Sequence, residues 1–92
     1  ESALFTTLQD NTAAVRGLSA RSLGWHKSPE AFDRIVPLLR DVEPEVVDHA
    51  LKALAKIDTK RTQSLPIVAE LASSPYPRIA ERAARIQATE SP

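Results

Sequence analysis

The chain has 92 residues, twelve basic and twelve acidic, and so a formal net charge of zero. That balance argues against nucleic-acid or membrane-surface binding driven by bulk charge, though it leaves room for a local patch. The lack of cysteine excludes disulfides and thiolate metal sites, and the apolar runs are too short to cross a bilayer.

In chain order, the first apolar-periodic segment is "SALFTTLQ", with Leu4, Phe5 and Leu8, and it is followed by a turn around residues 9–12. Next, "DNTAAVRGLSARSL" places Val15, Ser19 and Leu23 on one helical face. Gly24 then reads as a helix terminator, leaving Trp25 and His26 in the link that follows. Ser28-Pro29-Glu30 reads as an N-cap with proline at the first helical position, where its missing N–H costs nothing. It opens "SPEAFDRIVPLLR", whose apolar positions are Phe32, Ile35, Val36 and Leu39. Pro37 falls inside this run, so a kink or a lost bond to the Asp33 carbonyl is predicted. A turn at 41–44 leads into "PEVVDHALKAL", where Glu45 suits the positive helix end. Then "TQSLPIVAELA" supplies Leu65, Val68, Leu71 and Ala72, a turn covers 73–77, and Pro77 opens the last helix.

These segments repeat. Val15, Val46 and Ile79 are equivalent anchors, 31 and 33 residues apart. Five residues before each stands a polar turn residue (Asp10, Asp41, Ser74), and four after it a small one (Ser19, Ala50, Ala83). The predicted fold is therefore all-α: a right-handed α-solenoid of about three antiparallel helix pairs, with repeats at about 2–25, 28–58 and 61–89. One such pair cannot bury its own apolar face, and stacking the copies makes a continuous core. Starting at "ESALF" with neither an initiator Met nor a basic-then-apolar leader, and ending at "ATESP", the chain is expected to be a segment of a longer protein, with a cytoplasmic setting favoured.

The pattern resembles the HEAT-repeat family, including its short bacterial HEAT-like members, over residues 2–88. The residues carrying the resemblance are Asp10, Val15-Arg16, Ser19 and Leu23, and again Asp41, Pro44, Val46, Ala50 and Leu54. In that family the Asp and the Arg six residues later form a hydrogen-bonded ladder between repeats. The resemblance thus implies ladder roles for Asp10 and Arg16, whereas Val47, Ser74 and Ala80 depart from the pattern. It further implies a fold that mostly binds proteins, with some members binding nucleic acid.

The repeat register also aligns three cations, Arg21, Lys52 and Arg85, each six residues after its anchor and off the packed face. Two readings compete. They form a basic stripe for an acidic peptide or a phosphate backbone, or Asp48–Lys52 and Glu81–Arg85 are ordinary i,i+4 pairs on a solvated face. Lys56, Lys60 and Arg61 are accounted for by the negative end of a helix. His49 reads as a partly buried packing residue. The two histidines lack metal-ligand spacing, so no metal and no cofactor is expected. Trp25 either plugs the groove between repeats or stands exposed as a binding anchor. Two glycines in the whole chain leave no phosphate cradle, and no nucleophile elbow or isolated carboxylate pair frames a catalytic site.

The expected function is a non-catalytic scaffold that binds a protein partner through the concave face of the second helices. Arg16, Arg21, Lys52, Arg85 and Trp25 would make the contacts. The alternative is nucleic-acid-backbone binding by the same stripe. Self-association through apolar ends, Leu4, Phe5 and Leu8 at one and Ile79, Ala84 and Ile86 at the other, is a third role.

Overall fold

A computed structural model of the chain describes residues 12–26 and 29–88, and for Ala13, His26 and Pro29 the backbone alone. Among the described residues, six α-helices and one 3-10 helix follow one another without a strand: α1 (Ala13–His26), α2 (Pro29–Ile35), the 3-10 helix (Val36–Arg40), α3 (Pro44–Ile57), α4 (Thr59–Gln63), α5 (Pro66–Leu71) and α6 (Pro77–Ala88). The expected helix through Leu4, Phe5 and Leu8, together with Asp10 and the Ser28 cap, lies outside the described residues.

α3 is the centre of the fold. Pro44 opens it and Glu45 sits in its first turn, while Lys56 occupies its last, each sign opposite to the helix end it faces. Val46, Val47, Ala50, Leu51, Ala53 and Leu54 are buried, which covers more than a single stripe. α3 is wide-buried because it packs on α1 along one flank, on α6 along the other, and on α2 and the 3-10 helix behind. Its neighbours contribute Leu23, Phe32, Ile35, Leu39, Val68 and Ile79 to one continuous core.

The α1–α3 packing is set by glycine. A Cβ on Gly24 would lie 2.7 Å from the Ala53 Cα and 2.8 Å from its Cβ, so only glycine lets the two backbones come this close. Gly24 is thus not a helix terminator: α1 runs through it to His26.

The helices behind are shaped by proline. α2 ends at Ile35, and the chain tightens into the 3-10 helix across Pro37, whose ring would clash with the Asp33 carbonyl in a continued α-helix. This is the form the predicted kink takes. The segment read as a single helix over "TQSLPIVAELA" is two, α4 and α5. Leu65 precedes Pro66 and is extended (φ −72°, ψ 123°), as a residue before proline tends to be. Asp58 ends α3 and caps α4, its carboxylate accepting the Arg61 N–H at 3.0 Å. Lys60 and Arg61 therefore sit on a helix of their own rather than trailing α3, and Arg61 lies over the Phe32 ring and pairs with Asp33.

α6 closes the described fold against α3 and α5. Ile79 and Ile86 are 3% and 6% exposed, which corrects the expectation that they form an apolar end; only Ala84 of that set faces out. The Gln63 side chain donates to the Ile86 carbonyl at 2.8 Å, satisfying one of the acceptors that the end of α6 leaves over.

Candidate functional site

α1, α3 and α6 carry the three equivalent anchors, Val15, Val46 and Ile79, and two polar bridges join them. Arg16 on α1 donates from Nε to Asp41 Oδ2 at 2.7 Å and from a terminal amine to Oδ1 at 3.0 Å. Asp41 Oδ1 also accepts the Glu43 N–H at 2.9 Å, so one carboxylate both starts the turn into α3 and ties down the preceding repeat. Arg16 and Asp41 side chains are only 14% and 8% exposed. Burial alone would raise the Asp41 pKa. The Arg16 hydrogen bonds, the Glu43 N–H and the Arg16 charge together outweigh it and hold the carboxyl below its ordinary 3.8.

The second bridge runs from α3 to α6, where Arg82 Nε donates to Asp48 Oδ1. Asp48 is 7% exposed and faces the next repeat, so the expected Asp48–Lys52 pair along α3 does not form. At the Ser74 turn the same local bond recurs, Ser74 Oγ accepting the Tyr76 N–H at 3.1 Å. Val47 stands there at the position equivalent to Arg16.

The outward face of these three helices is a grid. Residues 3, 6 and 10 beyond each anchor are Leu18, Arg21 and Trp25 on α1, and His49, Lys52 and Lys56 on α3. On α6 they are Arg82 and Arg85, with the tenth position outside the described residues. Spacings of three and four residues put each set on one side of its helix. Arg21, Lys52 and Arg85 are all exposed, and Leu18 is 59% exposed. Arg21, His49, Lys52, Ala53 and Lys56 surround a dimple of only about 10 Å³, and Lys52, Ala55, Lys56, Arg82, Arg85 and Ile86 line a cleft of about 240 Å³. Lys52 and Lys56 are common to both, so the three predicted cations fall along the dimple and the adjoining cleft, with no carboxylate among the described lining residues.

Trp25 is 65% exposed rather than plugged into a groove, and the Lys56 Nζ sits 4.0 Å from the centroid of its ring. His49 is half-buried over Gly17. Arg16 is not part of the grid, because its guanidinium is turned into the junction with Asp41. The sequence reading gave Lys56 to the helix end and Arg82 no role in binding. The signal was present: Lys56 stands at the same offset as Trp25, and Arg82 at the same offset as Leu18 and His49. Among the described residues no group of three or more His, Asp or Glu is placed to hold a metal ion, and no helix is long and apolar enough to cross a membrane.

A family model described as HEAT repeats matches residues 1–88. No curated protein and no solved structure gives a significant match.

Proposed function

This chain belongs to the HEAT-repeat family, a family of α-solenoid protein-interaction scaffolds, and from that premise we propose that it is a non-catalytic module that binds a protein partner through the outward face of α1, α3 and α6. The observation that carries this reading is the grid. Arg21, Lys52 and Arg85 are exposed in one row, the last two on the cleft between α3 and α6, and the exposed Trp25 stands at one edge. Side chains of this kind dominate protein interfaces: an aromatic anchor and cations with long apolar stems. Arg16, paired with Asp41, serves the stack rather than the partner.

Nucleic-acid binding by the same stripe draws less support. The formal net charge is zero, and a phosphate backbone needs positive charge sustained over many contacts. Affinity capture from a lysate of the source organism tests the proposal, comparing the parent chain with the Arg21→Glu/Lys52→Glu/Arg85→Glu variant, each with and without nuclease. A protein retained through nuclease treatment and lost in the variant is the expected outcome, with circular dichroism showing equal helicity. Binding that vanishes with nuclease, or that the reversal leaves unchanged, would overturn it.

A further inference from the structure

The geometry points to the cleft between α3 and α6 as the seat of an acidic peptide segment, a short run of Asp or Glu around one apolar residue. This rests on the second-helix reading above and names the chemistry of its partner.

Among the described residues lining the cleft, Lys52, Lys56, Arg82 and Arg85 are cationic, and none is acidic. The remaining two, Ala55 and Ile86, give it an apolar floor. The nearest carboxylate on α3, that of Asp48, is turned into the junction with Arg82 and is 7% exposed. The same bond fixes the Arg82 guanidinium, so one wall of the cleft is preorganised. Lys52 and Arg85 are exposed on opposite sides, one on each helix. At about 240 Å³ the cleft falls below the roughly 300–1,000 Å³ of sites that enclose a whole small ligand. It takes a side chain or two of something longer, whose apolar residue rests on Ala55 and Ile86 and whose carboxylates reach the cations on either helix.

A nucleic-acid backbone fits less well. It needs positive charge sustained over many phosphates, whereas four of the twelve basic residues line the cleft and the rest of the chain carries eight basic against twelve acidic residues, which repels a long polyanion. A short acidic peptide meets only the local field. Lys56 has a second role, since it bridges the Trp25 ring and the cleft.

The test is an amide NMR titration of the whole chain with a synthetic glutamate-rich peptide carrying one central leucine. Parallel titrations use the same peptide with glutamine for glutamate, and a single-stranded oligonucleotide. Saturable shifts grouped at Lys52–Lys56 and Arg82–Ile86 are expected. Affinity should fall roughly tenfold or more in Lys52→Glu/Arg85→Glu, hold in Lys60→Glu on α4, and weaken with added salt. Unchanged thermal midpoints in both variants show that they fold. Absence of saturable shifts in that cleft, or equal binding of the glutamine peptide, overturns the inference. So does oligonucleotide binding there at concentrations where the acidic peptide does nothing. A protein partner whose capture needs Arg21 and Trp25 but survives Lys52→Glu/Arg85→Glu would also overturn it, while leaving the second-helix reading intact. Peptide binding in the cleft with no protein captured by the parent chain would do the reverse.

Discussion

Arg16 and Asp41, 25 residues apart, are joined by two hydrogen bonds in a fork, 2.7 Å from Nε and 3.0 Å from the terminal amine. The pair is mostly covered, and the same carboxylate caps the turn that starts α3. Fork geometry and low exposure make this unlike a surface ion pair, which contributes little. Removing one partner leaves the other charge in a drying junction. Arg16→Ala and Asp41→Ala are each expected to cost about 2 kcal/mol of unfolding free energy, with a coupling of roughly 1–2 kcal/mol in the double-mutant cycle. Arg16→Lys should recover little of it, because an ammonium cannot reproduce the fork. Urea denaturation of the four-member cycle measures the coupling; additive losses would mean that the two side chains act independently.

The same pair sets a pH dependence. The Asp41 pKa lies below its ordinary value in the fold, so the folded state holds that proton more weakly than the unfolded chain. Its contribution to stability is therefore complete above the unfolded value of about 4, and is lost as pH falls through the lower folded value. The thermal midpoint of the parent should drop toward that of Asp41→Asn as pH falls from about 5 to below 3, and the two should stay separated from pH 5 to 8. A gap that stays constant across the acid range would show that the carboxylate charge is not what stabilises the junction.

Two glycines on α1 meet α3, and they should differ. At Gly24 a Cβ meets the Ala53 backbone, whereas at Gly17 it meets the Cδ2 edge of the His49 ring at 2.9 Å. The ring can swing aside; the Ala53 Cα cannot. Alanine gains about 1 kcal/mol over glycine in a helix, so Gly17→Ala should fall within about 1 kcal/mol of the parent in either direction. Gly24→Ala should lose about 2 kcal/mol net, because α1 must move off α3. Ala53→Gly should fail to rescue it, since the obstructing Cα remains. Chemical denaturation of the three variants gives the ranking, and a Gly24→Ala protein as stable as the parent would refute the close approach.

The periodicity carried the all-α architecture and the equivalence of α1, α3 and α6, because those depend on spacing alone. What it could not carry depends on neighbours. A glycine near the end of an apolar pattern is the same letter whether it stops a helix or admits another, and only Ala53 across the interface tells them apart. Pro66 falls inside an apolar-periodic run whose spacing continues across the break between α4 and α5. Asp48 has Lys52 at helical reach along its own helix, yet its carboxylate goes to Arg82, 34 residues on. Ile79 and Ile86 read as end surface because the sequence does not show that α5 and α3 cover them. In the binding face, the row of Arg21, Lys52 and Arg85 was legible from register. That Trp25 stands out of the groove beneath Lys56 was not, since it needs the rotation of one helix about its axis relative to the next.

The Arg16–Asp41 rung also shows what the second junction lacks. Ser74 holds the Asp41 position and makes the same local bond to the residue two further on, and Val47, 5% exposed, holds the position of Arg16. Backbone and turn are thus already arranged for a rung, and only the side chains differ. Val47→Arg alone should destabilise by roughly 1–3 kcal/mol, because it brings an unpaired guanidinium to a buried position. Ser74→Asp alone should be near neutral, an aspartate serving the turn as well as a serine does. Together they should recover at least about 1 kcal/mol of the Val47→Arg loss through a new fork across the junction. The double mutant should also gain over the parent an acid-sensitive contribution from the new carboxylate, fading below about pH 4 by the same linkage as Asp41. Urea denaturation of the single and double variants at neutral and acid pH reads both quantities. Strict additivity at neutral pH would mean that the α3–α6 junction is set differently from the α1–α3 junction, despite the shared turn.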